Sequence, residues 1–138
     1  MNKSREHARL LMEKAAEDLY VLRRLIGDPD APDAAVGFHA QQAAEKLLKA
    51  VLTSRAIPYS RTHDLAGLVD LLGQNGIRRP PDAERLPGLT PYAAEFRYGR
   101  LPPEGNEAES VDQSWVMECL VRTQAWAESI LGADGQVK

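Results

Sequence analysis

Apolar residues along this chain recur at steps of three and four, and no stretch alternates strictly as a half-buried strand would. Ala8, Leu11, Met12, Ala15, Leu19, Leu22 and Ile26 form one stripe, which predicts a first helix over 5–26. Gly27 ahead of Asp28-Pro29 stops it, because glycine accepts left-handed dihedrals and proline cannot continue the ladder. A second helix is expected from Pro32-Asp33 to about residue 55, with Ala40, Ala43, Ala44, Leu47, Leu48 and Val51 as its buried arc and Ile57-Pro58 closing it. Thr62 is placed to cap a third helix over 63–72, with Leu65, Leu68, Val69 and Leu72 turned inward. The stretch 78–91, rich in proline and charge, reads as a loop with one helical turn at 82–86. Thr90-Pro91 opens a short helix through residue 97, and Pro102-Pro103 lies in the longest break. A last helix over 108–131 presents Val111, Trp115, Cys119, Thr123, Trp126 and Ile130 on one face, with a frayed tail beyond. The sum is an all-α fold, an antiparallel up-and-down bundle of about five helices. It is expected to form a single domain over 1–138 with an ordered core of about 5–131.

Composition narrows the chemistry. A chain of 138 residues can bury most of its apolar surface without disulfide or metal support. Cys119 stands alone, and His7, His39 and His63 are too far apart in sequence for ligand spacing, so neither a metal nor a cofactor is expected. Apolar neighbours on a mid-helix position argue against Cys119 as a nucleophile. No apolar run approaches the roughly 20 residues that span a bilayer. The charged N-terminal stretch does not read as a secretory signal, and a cytoplasmic setting away from membranes is expected. A net charge of −3 argues against broad coating of DNA but leaves room for a local basic pocket. Phosphate-loop, dinucleotide, zinc-protease and nucleophile-elbow motifs do not occur in the sequence.

The second helix carries the candidate chemistry. At about 100° per residue, His39, Gln42, Lys46 and Lys49 fall within about a quarter of its circumference, beside the apolar arc. An imidazole, an amide and two ammoniums on one stripe suit a phosphate or a nucleobase edge. The same stripe also reads as a solvated flank, with Glu45–Lys49 an ordinary helical ion pair. His63, ahead of Asp64, is read either as an anion-binding residue at a helix start or as a good first-turn residue. Arg97, between Phe96 and Tyr98, suits a phosphate clamp, a helix C-cap, or a partner for a carboxylate such as Glu45. The spacing of Trp115 and Trp126 is that of core or interface residues.

Three segments carry a resemblance: Phe38–Ala50 (FHAQQAAEKLLKA), Thr62–Leu65 (THDL) and Leu89–Tyr98 (LTPYAAEFRY). In this order they resemble the HEPN domain family, and the similarity spans nearly the whole chain. The resemblance implies a helical bundle, frequently a homodimer. It also implies pairing with a minimal nucleotidyltransferase, often as a toxin–antitoxin system, and in several branches a metal-independent ribonuclease. Those ribonucleases use an arginine and a histidine separated by four to six residues. Here Arg5 is too close to His7, Arg61 too close to His63, and Arg55 lies seven intervening residues from His63. No catalytic residue is therefore assigned. The expected function is a nucleotide-binding accessory module, with His39, Gln42, Lys46, Lys49, His63, Arg97 and Tyr98 as candidate binding residues. The alternatives are a divergent ribonuclease using His39 or His63 with Arg97, and a structural dimer or adaptor without a ligand.

Overall fold

A computed structural model describes residues 3–93 and 113–136. Among them are four α-helices, one 3-10 turn and no strand. The helices are α1 (Lys3–Leu25), α2 (Asp33–Ser54), α3 (Leu65–Gln74) and α4 (Gln113–Gln136), and the 3-10 turn is Leu86–Leu89. The all-α bundle follows from the helical period of the apolar residues. Most of the expected short helix over 90–97, and the start of the last helix with Val111, lie outside the described residues.

The bundle is organised around α2. Ala40, Ala43, Ala44, Leu47, Leu48 and Val51 are fully buried, and Ala50 and Leu52 extend that burial nearly all round the helix. A helix apolar on most sides belongs at the centre of a bundle. It has α1 along one side and α4 along another, while α3 and the 3-10 turn pack beside it. One buried cluster joins Leu19 and Leu22 of α1, the α2 arc, Leu65, Leu68 and Leu72 of α3, and Cys119, Leu120 and Trp126 of α4. Met12 of α1 and Ile26 just past its end are half-buried against this cluster, and Leu11 is half-buried.

Helix ends follow local rules, with two corrections to the expected boundaries. α2 and α3 both close in a six-residue C-terminal hairpin of backbone bonds. Ile57 N donates to Leu52 O at 2.9 Å, and Ile77 N donates to Leu72 O at 3.0 Å. α3 begins at Leu65 rather than His63. The Thr62 hydroxyl accepts from Asp64 N at 2.9 Å, ahead of the helix, and Leu65 N is instead met by Thr90 Oγ1 at 3.3 Å. A distant hydroxyl therefore serves the helix start that sequence spacing assigned to Thr62. In the 78–91 loop the expected turn at 82–86 is closed by Leu86 N donating to Asp82 O at 3.0 Å, and a 3-10 turn follows it at Leu86–Leu89, where both leucines are buried. α4 also runs on through Gln136, past the expected end at residue 131.

Tyr92 closes the α2 side of the bundle. Its ring lies so near Gly37 that a Cβ there would stand 2.2 Å from Tyr92 Cδ1. A glycine inside a helix is unfavourable by about 1 kcal/mol relative to alanine, and here it admits an aromatic ring against the backbone.

Candidate functional site

Two carboxylates organise the polar flank of α2. Asp18 lies on α1 between Ala15 and Leu22, in the middle of that helix's buried stripe, and is 8% exposed. Its Oδ1 is 3.0 Å from His39 Nδ1, and Lys46 Nζ donates to its Oδ2. Glu45, 6% exposed, holds the second group. Its Oε1 meets His63 Nδ1 at 2.7 Å and accepts from Gln41 Nε2 at 2.8 Å, while Lys49 Nζ donates to Oε2 at 2.8 Å. The fully buried Gln41 in turn accepts from Gln42 Nε2 at 2.6 Å. Tyr59 closes this end, with its ring centre 5.5 Å from Lys49 Nζ and its hydroxyl 3.1 Å from Thr53 Oγ1.

The result is one belt along α2, running from Asp18 and His39 through Lys46 and Gln42 to Glu45, Lys49 and His63. Buried carboxylates must be charge-paired and hydrogen-bonded to be tolerated. Burial opposes the charge on Glu45. Hydrogen bonds from Lys49, His63 and Gln41, together with the Lys49 charge, outweigh that opposition and hold its carboxyl below the usual value. The two lysines and the two carboxylates balance, so the belt is an array of fixed hydrogen-bonding groups and not a strongly basic surface. Glu45–Lys49 is indeed an i,i+4 pair, but a largely buried one that also fixes an imidazole.

The histidines differ in setting. The His39 side chain is 23% exposed, and its ring packs edge-on against Phe38 at 5.2 Å between centroids. The His63 side chain is 47% exposed and stands on the loop ahead of α3, outside the helix's first turn. A carboxylate only accepts, so Nδ1 of His63 carries the proton shared with Glu45, and Nε2 points away with no partner among the described residues.

Five of the seven residues singled out by sequence, namely His39, Gln42, Lys46, Lys49 and His63, share this belt. Arg97 and Tyr98 lie outside the described residues. Sequence spacing missed Asp18, Gln41 and Tyr59. The signal available for Asp18 was a carboxylate three residues after Ala15 and four before Leu22, on an otherwise apolar stripe. Other features sit elsewhere. A cavity of about 490 Å³ lies between the ends of α1, α2 and α4, and a groove of about 480 Å³ lies beside residues 78–81. Burial pushes the Cys119 thiol up to about 12, with the Asp82 charge adding to the effect, so this side chain acts as a core filler. Among the described residues no group of three metal-ligating side chains gathers, and no helix is long and apolar enough to cross a membrane.

A helical bundle with a carboxylate-anchored histidine and lysine belt on its central helix defines the class. The family model of the HEPN domain matches residues 8–124, and the chain belongs to that family. The match takes in α1 from residue 8, all of α2 and α3 and the first half of α4, and therefore the whole belt. No curated protein and no solved structure matches the chain.

Proposed function

We propose that the chain is a nucleotide-binding accessory module whose ligand sits on the α2 belt, against His63, Gln42, Lys46 and Lys49. The observation that supports this best is the His63 imidazole, fixed through Nδ1 by a buried carboxylate and presenting Nε2 outward. A neutral ring so held accepts a hydrogen bond from a ribose hydroxyl or base N–H. A protonated one donates to a phosphate oxygen. Gln42 adds an amide that can pair with a base edge, and Lys46 and Lys49 supply fixed ammonium groups. Membership of the HEPN family supports the wider reading. In that reading the chain is a cytoplasmic homodimer that pairs with a minimal nucleotidyltransferase in a toxin–antitoxin-like system.

Calorimetric titration with ATP and other nucleotides tests the belt. Wild type is expected to bind saturably. His63→Gln, which removes one hydrogen bond to a charged group worth about 1.5–3 kcal/mol, is expected to bind at least about tenfold more weakly. Absence of binding at millimolar nucleotide, with the protein folded by circular dichroism, overturns the assignment. A second reading, ribonuclease, is favoured by one observation. The Glu45–His63 pair with Lys49 alongside has the parts of an acid–base dyad with a cationic neighbour. RNA cleavage by wild type that is lost in His63→Ala would move the chain into that class.

A further inference from the structure

A second site lies on the opposite side of the charge balance, along the seam between the 78–89 loop and α4. Arg78, Arg79 and Arg122 line one groove of about 480 Å³ there, with Trp126 beside them. The chain as a whole is acidic, so three guanidiniums on one groove are a local concentration of positive charge.

These arginines are held in place. The Arg78 carbonyl accepts from Trp126 Nε1 at 2.8 Å, which pins the loop backbone to α4, and Arg78 Nη2 donates to Ser129 Oγ at 3.0 Å. Arg122 forms a two-pronged pair with Asp82, at 2.9 and 3.2 Å, with Glu118 farther off at 3.9 Å. Arg79 has no such partner among the described residues. Its guanidinium lies over Gly73, where a Cβ would stand 2.9 Å from Nη2. The glycine near the end of α3 thus gives Arg79 room for its position, and no carboxylate among the described residues pairs with it at the groove. One more cation continues the seam: Arg85 stands 5.6 Å from the ring centre of Trp115, two helical turns before Arg122 on α4. From Trp115 to Trp126 the seam is about 16 Å long at the helical rise.

We propose that this seam binds the phosphodiester backbone of single-stranded RNA. Planar guanidiniums match phosphate oxygens in two-pronged geometry, and an arginine against an indole is a platform on which a base stacks. The two carboxylates at Arg122 disfavour an acidic peptide as much as a strand, so their presence does not choose between them. The stacking platform favours the strand. The choice of a nucleic acid over an acidic polymer rests also on the nucleotide-handling reading given above. The residues involved are separate from the α2 belt.

Fluorescence anisotropy with a labelled oligouridylate of about twelve nucleotides, long enough for the site size of a single-strand groove, provides the test. Wild type is expected to bind at low salt, and Arg79→Gln to bind roughly threefold to tenfold more weakly. Arg78→Gln/Arg79→Gln is expected to flatten the salt dependence by roughly 1.4 units of slope, about 0.7 per phosphate contact on a single strand. Lys14→Gln, an equal charge change on an exposed α1 lysine, serves as the control and should bind as wild type does. Arg79 has no ion-pair partner to lose among the described residues, so its substitution is expected to leave the fold intact. Equal affinity and salt slope in all four proteins overturns the proposal, as does no binding at low salt. Competition by polyglutamate as strong, charge for charge, as by unlabelled RNA also overturns it. Mononucleotide calorimetry reads the belt and this titration reads the seam, so either can fail without the other.

Discussion

Single residues carry strain where the backbone demands a conformation their side chain resists. Both α2 and α3 end with the residue after the C-cap in the left-handed region, but they fill that position differently. Gly76 has φ +71° and Ala56 has φ +57°, the one non-glycine residue with positive φ among the described residues. An L-residue in this region costs roughly 1–2 kcal/mol because its Cβ crowds the following carbonyl. Glycine removes that strain and gives back about 0.4–1 kcal/mol through a freer unfolded chain. Ala56→Gly is therefore expected to stabilise the protein by on the order of 0.5–1 kcal/mol, read as a rise in the urea midpoint at unchanged slope. A lower midpoint would mean that Ala56 makes contacts outweighing its strain. This residue is half legible in sequence: Ile57-Pro58 marks the end of the helix, but nothing in Arg55-Ala56 announces a left-handed turn. His63 is similar, since its sequence position suggested a helix start and only the folded chain brings it to Glu45.

At the level of elements, periodicity predicted what local sequence controls. The α1 stripe, the α2 arc and the inner face of α3 were all readable because each repeats at the helical step. The missing pieces are tertiary. Thr90 serves the α3 start from 25 residues away, and Asp18 reaches two residues of another helix. Spacing within α2 placed His39, Gln42, Lys46 and Lys49 together. It supplied Glu45 as the partner of Lys49 but could not supply Asp18, which lies on a different helix. Gly37 shows the same limit, being a poor helix residue whose reason is a ring from residue 92. In Gly37→Ala, the gain in helix propensity of about 1 kcal/mol opposes an overlap with two ring carbons, at 2.2 and 2.3 Å, that flexible motion of a chain end cannot relieve. Overpacking of this kind costs about 1–3 kcal/mol. The expected net result is a lower urea midpoint and a more exposed Tyr92 by fluorescence. A more stable variant would mean that the α2–Tyr92 contact is looser than this geometry.

For the whole molecule, the arrangement of charge matters more than its sum. Arginines gather on the loop–α4 seam, while the α2 belt keeps lysine and carboxylate in balance and partly buried. The belt's two carboxylates tie neighbouring elements to α2, Asp18 from α1 and Glu45 through His63 of the loop before α3, so their protonation state bears on global stability. Glu45 has a folded pKa below its ordinary value. The stabilisation from this group is therefore complete above the unfolded glutamate value of about 4.3, and it is lost as pH falls through the lower folded value. In Glu45→Gln the charge is gone and one carboxylate oxygen becomes an NH2 donor, so either Lys49 or the His63–Gln41 pair faces a donor in place of its acceptor. Stability at pH 7 should drop by about 1–3 kcal/mol, the usual cost of leaving buried hydrogen-bonding groups unpaired. The difference between wild type and variant should then narrow as urea unfolding is repeated from pH 5 down to about pH 3, because only wild type has this carboxylate to lose. A difference that stays constant over that range would mean that Glu45 titrates alike in the folded and unfolded chains. The belt would then be a surface feature, and His63 would lack the fixed orientation on which the proposed nucleotide site depends.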